Sequence, residues 1–265
     1  MRKAIAALAV LASVAFAPAR AATPTTDFSD LWFNPNESGW GVNLIQQNEI
    51  IFVTMFVYAS NGQPTWFVGP ATAYTGLSNG IASFTGPLYA TNGPYFGAAT
   101  FDPNAVSNRQ VGAVSFAAGQ VSSGAISYTV DGVSVTKSIQ RQTWRNENVG
   151  GTYVGGVTGT YSGCGASRNG YFEAPIVLTV GHDGGSTFTM REEGSNYFCN
   201  YSGAYSQAGR MGQAQGSTTC SDGSNPSFAV SEVQGGLQAL TMRLVTQYTG
   251  SCIFVGRMGG VRRAP

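Results

Sequence analysis

The chain has 265 residues, 14 basic against 13 acidic, and only 10% charged side chains beside 43% hydrophobic ones and 36 glycines. There is no basic field to draw nucleic acid, and the aromatic and β-branched content is too high for a disordered polymer. A surface so poor in charge must be kept in water by neutral hydroxyls and amides, which suits a periplasmic or extracellular β-protein.

At the amino end, Arg2 and Lys3 precede an apolar run from Ala4 to Ala17, and the small-residue triplet Ala19, Arg20, Ala21 follows. That layout predicts a secretory signal peptide over residues 1–21, cleaved after Ala21. The rival is an uncleaved anchor, but the run is shorter than the roughly 20 residues that span a bilayer. Without the leader the balance is eleven basic to thirteen acidic residues. No Cys follows the cleavage position, so no acylated amino terminus is expected, and the mature chain is read as exported, without a transmembrane segment.

Beyond the leader, apolar residues do not recur at helical spacing over three turns. Period-two alternation recurs instead, in runs of five to nine residues broken by Asn-Gly, Asp-Gly and Gly-Pro. Strands are predicted near 29–34, 39–47, 50–58, 64–70, 80–89, 95–101, 110–117, 124–130 and 133–143. "SNGQP" at 60–64 and "VDGV" at 130–133 mark hairpins, the latter an Asp-Gly type I′ turn. "IIFVTMFVY" is apolar on both faces, so its outward side needs cover, for which packing of one domain on the other is preferred over a ligand or partner. The polar "NENVGG" at 146–151 divides the chain into a Trp-rich domain, 27–145, and a Cys-containing domain, 150–262, because all four Trp precede it and all four Cys follow it.

In the second domain strands are predicted near 151–161, 171–180, 186–193, 196–206, 210–220, 226–234, 237–247 and 251–258. Eight or nine short antiparallel strands, twice over, favour an all-β protein of two small up-and-down barrels or sandwiches, with one large barrel as the alternative. A transmembrane barrel fits less well: the strands are short, and the terminal "GRMGGVRRAP" is not an apolar strand.

Cys164, Cys199, Cys220 and Cys252 are an even set within about a hundred residues of an exported chain, which reads as two disulfides. Zinc is the alternative, but no CxxC spacing occurs and His182 is the only histidine. Folding "NYFCNYSGAYSQ" onto "GRMGQAQGSTTC" about residues 208–209 sets Cys199 opposite 218, one diagonal step from Cys220, so Cys199–Cys220 is the preferred bridge. Cys164 with Cys252 then requires the first and last strands of this domain to be neighbours, as in a closed barrel.

Each half opens with an aromatic and closes with an arginine: "DLWFN" and "IQRQTW", then "GGTYVGG" and "FVGRMGG". A guanidinium from the last strand would stack on a ring of the first across the seam. This resembles the closure of calycin-type barrels, the lipocalin and avidin architecture, which implies a fold and little about function. A broader resemblance covers the first half: "LWFNPNESGWGVNLIQQNEIIFVTMFVYASNGQPTWFVGP" is similar to a repeat of many secreted proteobacterial proteins, Leu-Trp-x-Asn-Pro-x-Glu-Ser-Gly-Trp-Gly, an apolar strand, then Gly-x-Pro-Thr-Trp. "NYSGAYSQAGRMGQAQG" resembles its companion module. The resemblance implies a bacterial exported protein and leaves activity open.

Two readings compete for the cluster "DLWFNPNESGW". In the plain one, "NPNES" is a turn shaped by Pro35 and Asn36, with Trp32 and Trp40 plugging a barrel end. In the functional one, Trp32, Trp40 and Trp66 share a rim with Asn34, Glu37, Asn43 and Tyr58, offering flat apolar faces and hydrogen-bonding groups to a glycan or another small amphipathic molecule. Catalysis is harder to assemble. There is no GxSxG elbow, HExxH pair or phosphate-cradling loop, His182 reads as a solvated turn residue, and "REE" at 191–193 as a solvated strand end. A glycosidase would need Glu37 and a partner such as Asp102 or Glu173. The sequence therefore points to a cofactor-free binding protein for a glycan or small molecule, with a protein-interaction module such as an inhibitor or surface-assembly component, and then a carboxylate-dependent hydrolase, as alternatives.

Overall fold

The computed structural model describes residues 26–264, so the leader expected over residues 1–21 lies outside the described residues. Among these residues the strands form two closed antiparallel barrels. The first comprises β1 (Asp30–Phe33), β2 (Gly41–Gln47), β3 (Ile50–Tyr58), β4 (Pro64–Ser78), β5 (Ile81–Asn92), β6 (Ser107–Ala118), β7 (Ser123–Val130) and β8 (Val133–Arg141). The second comprises β9 (Gly151–Ser162), β10 (Gly170–Gly181), β11 (Thr187–Glu193), β12 (Phe198–Ala208), β13 (Met211–Cys220), β14 (Ser227–Gly235), β15 (Ala239–Gln247) and β16 (Ile253–Arg262). Both run up and down, each strand pairing with its sequence neighbours, and β1 meets β8 as β9 meets β16.

The predicted turn chemistry holds where φ must be positive: Asp131 and Gly132 lie at 47° and 87°, and Asn79 and Gly80 at 51° and 78°. One predicted strand is absent. Residues 95–101 form a loop ending in a 3-10 turn, Pro103–Ala105, with Phe96 96% exposed. Pro94 and Pro103 flank the run and lack the N–H a ladder needs, so its aromatics have no sheet to join. Instead β4 continues to Ser78, carrying Pro70 through an irregularity in its pairing with β5.

The aromatic-arginine seam exists in both barrels. Trp32 is fully buried, sits opposite Arg141 in register, and has that guanidinium 4.8 Å from its ring centroid. Its indole N–H donates to the Phe28 carbonyl, four residues upstream, at 3.0 Å. In the second barrel Tyr153 is fully buried, sits opposite Arg262 with the guanidinium at 4.9 Å, and donates its hydroxyl to the Val149 carbonyl, again four residues upstream, at 2.9 Å. The arginine in "FVGRMGG", Arg257, is not the one used: it has outward parity on β16 and pairs with Glu232, whereas Arg262 shares the inward parity of Phe254 and Met258.

Arg141 does more than stack. Its side chain is fully buried and donates to the carbonyls of Val121 (2.6 Å), Ser29 (3.1 Å) and Asp27 (2.7 Å) and to the Asp30 carboxylate (3.0 Å). Asp30 also accepts the Arg210 backbone N–H at 2.9 Å, so the hairpin between β12 and β13 is drawn onto the base of the first barrel. Gly209 in that hairpin has φ +58°, and a Cβ there would stand 2.1 Å from the Asp30 carboxylate. The Arg210–Asp27 ion pair and Thr26 to Glu232 (2.6 Å) complete the join. The barrels thus meet at the ends where β1 and β9 begin, each closed there by its upstream residue, Phe28 or Val149, both buried.

We expect Arg141→Met to destabilise the first barrel by about 3–5 kcal/mol, because it strands a buried carboxylate and three carbonyls. Denaturant unfolding followed by tryptophan emission reads this barrel, since every Trp precedes residue 145. A loss under about 1 kcal/mol would show that closure does not rest on this group.

Candidate functional site

The residues singled out around "DLWFNPNESGW" are divided among three places. Trp32 is inside the first barrel, edge-on to Phe116 at 5.2 Å between centroids. Asn34, Glu37 and Trp40 come together in the β1–β2 loop at the far end. There the Asn34 side chain accepts the Asn36 N–H at 2.9 Å, its carbonyl accepts the Glu37 N–H at 3.0 Å, and Glu37 accepts the Trp40 indole N–H at 3.1 Å. Lys137 reaches the same carboxylate at 2.8 Å, and that bond chiefly holds Glu37 below the usual glutamate range. Tyr58 borders this loop beside Gly39. Asn43 and Trp66 face outward on β2 and β4, Trp66 opposite Phe56. Of the suggested acids, Asp102 caps the 3-10 turn through the Asn104 N–H, and Glu173 is exposed and accepts from Tyr171.

The outward side of "IIFVTMFVY" is not covered by the second domain. Ile50, Phe52, Phe56 and Tyr58 remain 39–58% exposed, and Ile45 and Trp66 beside them are each 50% exposed. The domains join end to end, which leaves barrel walls free.

One concave site, of the same size as a cavity between the barrels beside Phe28, Tyr74 and Arg243, lies in the second barrel at the end away from the first. Its mouth opens into a cavity of about 520 Å³ walled by Val157, Tyr161, Phe172, Tyr201, Leu244 and Phe254, with Tyr197, Tyr248, Arg168 and Asp222 toward the rim. Alternation aims Tyr161, Phe172, Glu192, Tyr201 and Phe254 inward from five adjoining strands. The Phe254 ring lies against inward glycines of β9 and β16: a Cβ on Gly159 or Gly256 would stand 2.5 or 2.6 Å from it. Tyr161 links the walls, 4.8 Å from Phe254, 5.8 Å from Phe172 and 6.1 Å from Tyr248.

Two disulfides hold this mouth. Cys199 and Cys220 are bonded at 2.03 Å directly across β12 and β13, because the hairpin turns at 209–210 rather than 208–209 and so shifts the register by two. Cys164 and Cys252, bonded at 2.00 Å, tie the loop after β9 to the residue that leads into β16, the strand that closes on it. That loop carries Arg168, whose guanidinium lies 4.1 Å from the Tyr248 ring and 4.8 Å from Tyr161.

Glu192 is the chemical centre of the cavity. It is the middle residue of "REE", yet it is 4% exposed, and its two oxygens accept the hydroxyls of Tyr197 (2.7 Å) and Tyr201 (2.6 Å). Burial pushes its carboxyl above the usual glutamate range against the opposing effect of those two hydrogen bonds. Burial and the neighbouring carboxylate push Tyr201 well above an ordinary phenol, and Tyr248, buried beside Tyr161, is pushed up to about 12. The reading of a solvated strand end fails because Glu192 shares the inward parity of Phe188 and Met190; Arg191 and Glu193 are the outward pair. His182 is not solvated either. It is 7% exposed at the joined end of the barrel, its ring tilted against Tyr205 at 4.1 Å between centroids, with Nδ1 accepting the Val149 N–H at 3.3 Å.

No protein-family model matches this sequence, and no curated protein matches it. The site therefore stands on its own geometry. Among the described residues no group of three or more His, Cys, Asp and Glu side chains is placed to hold a metal, and no helix is long and apolar enough to cross a membrane. The signal that could have found the site was parity: on "TFTMREE" and "NYFCNYSGAYSQ" one period-two face contains Glu192, the other Tyr197, Cys199 and Tyr201.

Because the folded state holds the Glu192 proton more tightly than the unfolded chain does, this group costs stability as pH rises from the ordinary glutamate range toward its raised value. Gln at this position keeps an acceptor for a phenol without the buried charge. We expect Glu192→Gln to be more stable than the parent near pH 8, by on the order of 1 kcal/mol, with the gap closing near pH 4, where the carboxyl is largely protonated in both states. Calorimetric melting at the two pH values checks this. A Gln variant that melts lower near pH 8 would mean the hydrogen bonds to the ionised form outweigh its burial.

Proposed function

We propose that the chain is an exported binding protein whose ligand site is the disulfide-framed mouth of the second barrel, and that the ligand is a small amphipathic molecule bearing a ring. The observation that carries the reading is the cavity itself. Its volume falls within the roughly 300–1,000 Å³ of small-molecule sites, and its walls are aromatic around a few convergent polar groups, Glu192, Tyr197, Tyr201 and Arg168. Export is supported by two disulfides that an oxidising compartment would maintain, and by the resemblance of the first half to secreted repeats. Glycan chains suit the cavity less than a single ring because its aromatic walls close in depth on Val157, Leu244 and Phe254.

A second reading, attachment to another protein, has its own support in the exposed apolar strip Ile45, Phe52, Phe56, Tyr58 and Trp66 on the wall of the first barrel. The two readings separate by location. The second barrel contains no tryptophan, so indole emission is blind to its cavity, and amide chemical shifts are the suitable probe. Titrating the mature protein with 2-phenylethanol and with phenyl β-glucoside is expected to shift the amides of Tyr161, Tyr248 and Phe254 together. Shifts confined to β2–β4, or none at all, would remove the cavity reading and leave the apolar strip as the working surface.

A further inference from the structure

The proposal of a small-molecule cavity leaves its charge preference open, and the arrangement of Glu192 bears on that. The carboxylate is nearly buried, and no ion pair to it occurs among the described residues. A carboxylate offers about four acceptor positions, and the two phenols fill two of them. The one arginine of the lining, Arg168, does not compensate it: it is exposed at the rim, interacts electrostatically with Asp222, and spreads over Tyr248 and Tyr161. The cavity thus holds one deep negative group without a positive partner.

The walls favour the same sign. The faces of Tyr161 and Tyr248 present the negative side of the ring quadrupole, which attracts cations and resists anions. Arg168 demonstrates this in the fold itself, for a guanidinium already lies within 4.1 Å of the Tyr248 centroid. Aromatic faces around a carboxylate are the chemistry by which an organic ammonium is desolvated without losing its compensation.

Resting on the cavity reading above, we infer that the ligand is an organic cation, an amine or quaternary ammonium carried on a ring or short apolar body, with its charge set between Glu192 and the faces of Tyr161 and Tyr248. Entry takes the ligand past Arg168, a like charge on the same rings, so that side chain opposes binding of a cation and would assist binding of an anion.

The test uses three probes on one scaffold: 2-phenylethylammonium, 2-phenylethanol and phenylacetate, titrated calorimetrically into the mature protein near neutral pH. The cation is expected to bind at least about tenfold more tightly than the alcohol. Arg168→Ala is expected to tighten the cation further, and Glu192→Gln to abolish the preference so that cation and alcohol bind alike. As a check independent of the carboxylate, Tyr248→Leu should weaken the cation while Tyr248→Phe retains it, since only the ring face is needed. Equal affinity for cation and alcohol in the parent protein would overturn the inference and leave the cavity reading standing. Tightest binding of phenylacetate, lost in Arg168→Ala, would overturn it in favour of an anion site. No binding of any of the three would overturn both.

Discussion

A guanidinium laid over a buried aromatic ring where the last strand of a barrel returns to the first is the contact on which this molecule is built. A closed sheet has no free edges, but its final ladder joins residues about 90 to 110 positions apart, and nothing local holds them in register. Arg141 with Trp32 and Arg262 with Tyr153 hold that ladder. In both seams the ring also bonds a carbonyl four residues upstream, so the chain entering the barrel is folded across its end and seals it. The same device at the same register in both halves makes them variants of one structural unit, one carrying an indole and the other a phenol.

The sealed ends determine which barrel mouths remain open. Asp30 serves both the Arg141 guanidinium and the backbone of Arg210, so closure of the first barrel and attachment of the second share one carboxylate. The join consumes one end of each barrel and leaves the other two facing away. At its free end the first barrel places the loop of Glu37 and Trp40, ion-paired to Lys137 of β8, over an interior that Trp32, Phe84, Phe116 and Leu88 fill. In the second barrel, Tyr161, Phe172 and Phe254 stand around a space instead of filling it, with disulfides bracing the rim. Burial of the Glu192 carboxyl makes that end less stable as pH rises above the ordinary glutamate range.

Much of the architecture was legible because it follows from local chemistry. Asp131-Gly132 announces its turn through backbone angles that only such residues adopt readily, and alternation in "TFTMREE" or "SVTKSIQR" follows from the pleat. The cysteine pairing needed only an estimate of where the hairpin turned, and an error of one position at Gly209 moved Cys220 by two places without changing its partner. The expected tryptophan rim is dispersed for a different reason. Tryptophans draw attention as binding residues, but Trp32 is the largest fully buried side chain of its barrel and is consumed by the core. Glu192 was passed over because a charge at the end of a strand is ordinarily solvated, and only its neighbours show otherwise.

The amino-acid order by itself determined strand number to within one, the pair of antiparallel barrels, the bridges and the first barrel's aromatic-arginine seam, since each is set by residue type at short range or by parity along a strand. Only the tertiary structure decided which barrel end opens into an aromatic-walled cavity, that the domains meet end to end and leave "IIFVTMFVY" uncovered, and that Glu192 lacks a counter-charge among the described residues. Those outcomes depend on the volumes and charges that eight strands bring to one axis, and no single stretch of chain contains that sum.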